Sequence, residues 1–270
     1  MIKNRLKQLW ADGQPTLNGW LSIANPFTAE IMAAQGYDSI SIDLQHGAVD
    51  YQTALSMLQA MRASAVVPLV RVPWLEPGII IKALDAGAYG VICPMVNTAA
   101  QAAEFVSYMR YPPLGNRSFG PTRANFSAGA NYAVEANAEI LAFAMVETAE
   151  AMENLEAIAA TPGLDGIYVG PADLTLGLAQ GRLAPGFDRE EPEMIEALQK
   201  IVAACKRAGV RAALHCGTPD YAAKAVGWGF DMTTVSNDVR MLAGAAEASV
   251  KKFRALNGQS AAASSAKGGY

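Results

Sequence analysis

The chain has 270 residues, 51% of them hydrophobic and 17% charged, with a formal net charge of −4. That length buries a sizeable core, and that composition excludes global disorder. A mildly acidic chain argues against a broad basic surface for nucleic acid or anionic membrane, and no apolar run reaches the ~18 residues of a membrane span.

Residues 1–15 lack a signal-peptide core, and a short helix is predicted over 2–11. Apolar, β-rich runs then alternate with alanine-rich helical runs. Strands are predicted at 19–23, 39–43, 66–70, 89–93, 141–147, 166–169, 210–215 and 230–235. Helices are predicted at 26–35, 51–64, 77–86, 98–110, 148–160, 192–208, 218–227 and 237–254. The turns AQGYD, DAGAYG, TPGLDG, RAGVR and GWGFD each place a glycine just past a helix end, where a left-handed cap is needed. Continuous apolar strands alternating with helices predict an α/β fold, a (β/α)8 barrel. A doubly wound open sheet is the second choice, because no GxGxxG follows the first strand.

Residues 111–138 form a long Gly-, Pro- and Asn-rich connection between the fourth and fifth strands, expected to be a lid, a subunit contact or both. Residues 177–191 form a second, shorter insertion. The barrel domain is predicted over 1–255, with a low-complexity, disordered tail over 256–270. Cys93, Cys205 and Cys216 are scattered without metal spacing, which suits a reducing cytoplasm.

Histidine is scarce: His46 and His215 are the two in the chain, so a three-histidine zinc site is excluded. In a (β/α)8 barrel the chemistry lies at the C-terminal ends of the strands. The polar residues predicted there are Asp43-Leu44-Gln45-His46, Arg71, Glu147, Gly170-Pro171-Ala172-Asp173, His215 and Ser236-Asn237-Asp238, with Trp20 on the first strand. Each also has an ordinary reading. Asp173 and Glu147 serve as helix-start residues, Arg71 as a structural ion pair, Trp20 as core. His215 reads as a core or supporting residue, and Ser236-Asn237-Asp238 as a helix cap. Two carboxylates, an arginine and a histidine converging on one barrel mouth exceed what turn chemistry explains. Glu147 and Asp173 with water form a hard-oxygen site suited to Mg²⁺ or Mn²⁺, with Co²⁺ also accommodated. The Gly170–Ala172 amides open a helix and suit an anionic carboxylate. The lysines, at 3, 7, 82, 200, 206, 224, 251, 252 and 267, miss every predicted strand end, which disfavours a Schiff-base mechanism.

The segments GWLSIANPFTAEIMAAQGYDSISIDLQHG, VRVPW, LDAGAYGVICPMV, RYPPLGNRSFGP, MVET and GPADLT resemble the HpcH/HpaI aldolase family. The resemblance runs from about residue 17 to 240. It implies a metal-dependent lyase that cleaves 4-hydroxy-2-oxo acids to pyruvate and an aldehyde through a stabilised enolate. Carried over by position, His46 matches the catalytic histidine and Asp85 the aspartate that pairs with it. Arg71 matches the enolate-stabilising arginine, and Glu147 and Asp173 the metal ligands. Gly170, Pro171 and Ala172 match the carboxylate-binding stretch, and Trp20 and Leu214 the pocket wall. The resemblance also implies a hexamer, a trimer of dimers, with residues 111–138 reaching a neighbouring site and Arg123 the residue to watch. Gln45 stands where many members have glutamate, and Met145 where some have glutamine. An acyl-CoA lyase and a non-catalytic 2-oxo-acid-binding barrel are the alternative functions.

Overall fold

The computed structural model describes residues 1–259. Eight parallel strands close into a barrel in sequence order. They are β1 (Thr16–Leu21), β2 (Ser39–Asp43), β3 (Val67–Arg71), β4 (Gly90–Cys93), β5 (Leu141–Met145), β6 (Gly166–Val169), β7 (Arg211–Cys216) and β8 (Met232–Val235). The ring closes where Thr16 pairs with Met232 and Asn18 with Thr234. The predicted (β/α)8 barrel is therefore the fold.

The boundary differences have local causes. β1 starts earlier than predicted because β8 recruits residues 16–18. It stops at Leu21 because the Ser22 and Ile23 amides leave the ladder and donate to the Asp238 carboxylate, at 2.8 and 3.1 Å. The predicted helix 148–160 is two, Ala149–Glu153 and Leu155–Ala159, broken at Asn154. The helix Pro192–Ala208 has the predicted limits and ends on Gly209 at φ +71, a conformation that costs glycine no Cβ clash. The last helix runs Asp238–Leu256, so the predicted tail begins inside it; residues 260–270 lie outside the described residues.

The foot of the barrel is plugged by the first helix, Arg5–Ala11. It buries Leu6 and Trp10, and the Trp10 indole donates to Thr16 Oγ1 at 3.0 Å. Above it the barrel axis is polar. Ser39 and Ser41 donate to Asn18 Oδ1 at 2.9 and 3.1 Å, and Asn18 Nδ2 donates to Thr234 Oγ1 at 2.9 Å. Thr234 then meets the Tyr168 hydroxyl at 2.8 Å, and Tyr168 meets His215 Nδ1 at 3.2 Å. A hydrogen-bonded column thus climbs from the barrel centre to the mouth.

The two insertions lie at opposite ends. The helix Ala99–Met109 returns the chain from mouth to foot, and β5 restarts there, so 110–140 must lie at the foot. Its contacts agree: the Ile2 amide donates to Ala128 O at 2.7 Å, and Arg123 donates to the carbonyls of Ala86 and Leu58. The long connection is therefore not a lid over its own chain's mouth. Instead the shorter insertion reaches the mouth. Asp188 accepts from the Gly217 amide at 2.6 Å and the Thr218 hydroxyl at 2.7 Å, just beyond β7. Those two bonds hold Asp188 at φ +53, in the left-handed region.

Removing Asn18 tests the polar column. Asn18→Ala leaves the Ser39, Ser41 and Thr234 hydroxyls short of partners in the core. It should lower the unfolding free energy by about 1–3 kcal/mol, measured by urea denaturation.

Candidate active site

At the C-terminal ends of the strands a cavity of about 320 Å³ opens. That is the small end of ligand pockets and suits small substrates. Trp20, His46, Arg71, Glu147, Gly170, Pro171, Ala172 and Asp173 all line it. The structure brings together every predicted site residue except Asp85 and Leu214.

Asp43 organises one wall. At the end of β2 it accepts from Arg71 Nε at 2.9 Å and Nη2 at 2.7 Å, a two-pronged pair across to β3. The same carboxylate accepts from the amides of Gln45 and His46 at 3.0 and 3.2 Å, and from the Trp20 indole at 3.3 Å. Burial alone would raise the Asp43 pKa, but the Arg71 bonds and charge, helped by the two amides, hold it below the usual carboxylate range. Arg71 is buried as well, and its guanidinium lies 4.8 Å from the Trp20 ring centre. Nη1 is not engaged by Asp43. His46 follows on an exposed turn at the rim.

Glu147 stands opposite, just past β5. Its Oε1 accepts from the Met95 amide at 2.9 Å, while Oε2 is buried with no hydrogen-bond partner. Burial is the main cause that pushes its pKa up to about 7. The Asp173 carboxylate adds to this, and the Met95 amide and Arg71 oppose it. Asp173 sits in the first turn of the helix Pro171–Ala179. A Cβ on Gly170 would fall 2.3 Å from Glu147 Oε2 and 3.0 Å from Met145 Cε, so a side chain here would have to push the Glu147 carboxylate out of its present position. Gly170 also brings no side-chain acceptor to the helix start, which leaves the first-turn amides for a ligand. No group of three or more His, Cys, Asp or Glu that could hold a metal occurs among the described residues. Two carboxylates, one with an unsatisfied buried oxygen, fit an ion that keeps water or substrate oxygens for its remaining positions.

His215 lines the cavity, and Leu214 does not. Successive side chains on a strand point to opposite faces, so the one-residue step from Leu214 to His215 decides which meets the mouth. Leu214 is instead fully buried in the core. His215 stacks on Phe187 at 4.9 Å and meets Trp20 edge-on at 4.9 Å. Burial, then the Arg71 charge, holds its pKa down to about 3, although the Ser236 carbonyl pulls the other way. The ring is neutral at pH 7.

Asp85 is the larger departure. It ends the helix Pro77–Asp85 and so lies at the foot of the barrel. Its carboxylate accepts from Arg117 Nη2 at 2.7 Å. Burial raises its pKa, against the Arg117 bond and charge. Within one chain it does not reach the mouth. Arg123 also stays at the foot. Several cavity residues fall outside the predicted catalytic, substrate and metal set, Asp43, Tyr168, Phe187 and His215 among them, although Asp43 and His215 belong to the predicted strand-end polar residues. Asp43 carried a signal, a strand-end aspartate three residues before His46; Phe187, in an irregular insertion, carried none.

The fold and the placement of these groups define the class: a (β/α)8 barrel with a charged cavity at the C-terminal ends of its strands, where barrel enzymes carry their chemistry. The chain belongs to the HpcH/HpaI aldolase/citrate lyase family, whose model matches residues 17–244. It is 38% identical over 253 residues to a hydroxypyruvate/pyruvate aldolase of Rhizorhabdus wittichii, covering 94% of this chain and 100% of that protein. It is 33% identical to a 5-keto-4-deoxy-D-glucarate aldolase of Klebsiella pneumoniae, covering 94% and 98%. Among solved structures, an HpcH/HpaI aldolase/citrate lyase family protein of Burkholderia cenocepacia superposes with a TM-score of 0.85 at 35% identity, covering 93% of this chain and 100% of that one. These aldolase-named relatives support a lyase. No helix among the described residues is long and apolar enough to cross a membrane.

The Glu147 pKa sets a test of the carboxylate pair. With its pKa raised to about 7, Glu147 is protonated below that pH in the metal-free protein, and a divalent ion must displace the proton. Affinity should be highest above pH 7 and fall by up to about tenfold per pH unit below it. Mn²⁺ titrations at pH 8 and pH 6 check this; equal affinities would remove Glu147 from the ligand set.

Proposed function

We propose that the protein is a divalent-metal-dependent aldolase that cleaves 4-hydroxy-2-oxo acids to pyruvate, or a related 2-oxo acid, and an aldehyde. The observation that carries this is the pairing of Glu147 and its unsatisfied Oε2, beside Asp173, with an Arg71 held by Asp43 in one small cavity. The aldolase names of the relatives point the same way.

Glu147 and Asp173 would hold the ion, Mg²⁺ or Mn²⁺, with Co²⁺ suited to the same oxygens. A bound ion supplies Lewis acidity at the keto oxygen of the substrate. The Ala172 and Asp173 amides, at a helix start, take the substrate carboxylate. Arg71 stabilises the negative charge that develops on the keto oxygen, in a site mostly shielded from water. His46 removes the proton of the C4 hydroxyl. The C3–C4 bond breaks, the aldehyde leaves, and the bonding pair forms the enolate of pyruvate. The proton then returns to C3. His215, neutral and low in pKa, is unsuited to that transfer at pH 7.

The reading includes a homo-oligomer, the hexamer that the family resemblance implies. Supporting it, Leu242, Phe253 and Leu256 on the last helix and Phe119, Phe126 and Val134 in the foot connection are exposed apolar side chains.

His46→Ala should lower kcat for pyruvate release from a 4-hydroxy-2-oxo acid by about 10²–10⁴-fold, the range of an acid–base group. Near-wild-type turnover in a coupled pyruvate assay would exclude His46. A chelator should abolish turnover, and Mg²⁺ or Mn²⁺ should restore it; chelator-insensitive turnover would overturn the metal-dependent reading.

A further inference from the structure

Contacts divide the cavity lining into two clusters. Glu147, Gly170 and Met145 crowd together, with Asp173 in the first turn of the helix that Gly170 opens. They form the end assigned above to the 2-oxo acid. His215 touches both Trp20 and Phe187, and these rings form a second part of the lining. No step assigned so far uses His215 or Phe187.

That second part is built. His215 is only 8% exposed. Tyr168, itself tied to Thr234, occupies Nδ1. Trp20 meets one edge of the ring, and Phe187 stacks on its face. The Arg240 guanidinium lies 5.2 Å from the Phe187 ring centre. Asp188 anchors the adjoining backbone to the turn after β7. The ring is thus held in place, and its remaining nitrogen, Nε2, is buried without a hydrogen-bond partner, the Ser236 carbonyl acting on the ring without a direct bond to that nitrogen. A buried unpaired nitrogen costs free energy that a ligand oxygen would recover. Apolar rings surround it, so the ligand part that fits is a short carbon chain carrying one polar oxygen.

Resting on the aldolase reading, we propose that His215 selects the aldehyde partner by hydrogen-bonding a hydroxyl on the carbon next to the carbonyl. The enzyme then favours 2-hydroxyaldehydes over alkyl aldehydes of the same size. In the synthetic direction, C3 of pyruvate loses a proton and bonds the aldehyde carbon, whose oxygen takes up a proton. His215 takes no part in that transfer and holds the neighbouring hydroxyl.

The test compares glycolaldehyde with propanal, which replaces the hydroxyl by a methyl group, in condensation with pyruvate and Mn²⁺. The wild type should show the higher kcat/KM with glycolaldehyde. His215→Leu should shrink the glycolaldehyde-to-propanal ratio by about ten- to a hundredfold, mainly through the glycolaldehyde KM. His215→Gln, which keeps a hydrogen-bonding group, should retain part of the preference. If the leucine variant does not fold, His215→Phe, which fills the ring's volume, replaces it. A ratio unchanged while both rates fall together would overturn the assignment and leave His215 a packing residue. Metal-dependent exchange of the pyruvate C3 protons in D₂O by the wild type tests the aldolase reading separately, since no aldehyde is needed. A wild type that neither exchanges those protons nor condenses either aldehyde overturns that reading, and the assignment with it.

Discussion

The Asp43 carboxylate is the constraint around which the mouth is arranged. Its two oxygens serve Arg71, the Gln45 and His46 amides and the Trp20 indole at once. A buried ion pair is a weak source of stability, because desolvation offsets most of the attraction. Its effect here is positional. The arginine from β3, the turn that carries His46 and the tryptophan from β1 are referred to one group on β2. A shift of Asp43 would displace the arginine and the histidine together.

Beneath that group the barrel interior is not the apolar stack that a purely structural barrel would use. The column from Ser39 and Ser41 through Asn18, Thr234 and Tyr168 satisfies its members pairwise and ends at His215. Trp20 stands beside its upper end, with Arg71 over its ring and Tyr168 and His215 against it. Positioning of the mouth therefore extends several residues into the core, on strands that closure of the barrel makes stiff.

Much of this was legible from residue order. Strand-end positions could be listed once the βα rhythm was recognised, and Glu147, Asp173, Arg71 and His46 fell into place because closure brings all strand ends to one rim. Geometry qualifies three readings within a single chain. Leu214 and His215 differ by one residue, and strand alternation turns that step into opposite faces, which apolar pattern alone does not resolve. The long connection was expected to be a lid, a subunit contact or both; a segment lying between a helix and the next strand belongs to the foot, which removes only the lid over its own chain's mouth. The same rule, applied to Asp85 at a helix end, separates it from His46 within one chain. Phe187 was beyond reach, since its place depends on the Asp188 bonds rather than on any periodicity.

The missing side chain at Gly170 has a consequence for how such a site can diversify. A methyl group there would have to displace the Glu147 carboxylate or the Met145 tip, so elaborating the cavity from the side of the two carboxylates disturbs one of the acids. The opposite wall has no such restriction. Phe187 belongs to a surface insertion, and its length and composition can drift without disturbing barrel closure. New substrate ranges would therefore arise by remodelling one rim of the barrel while the acid-bearing rim stays fixed, an asymmetry imposed by a few cubic ångströms of excluded space.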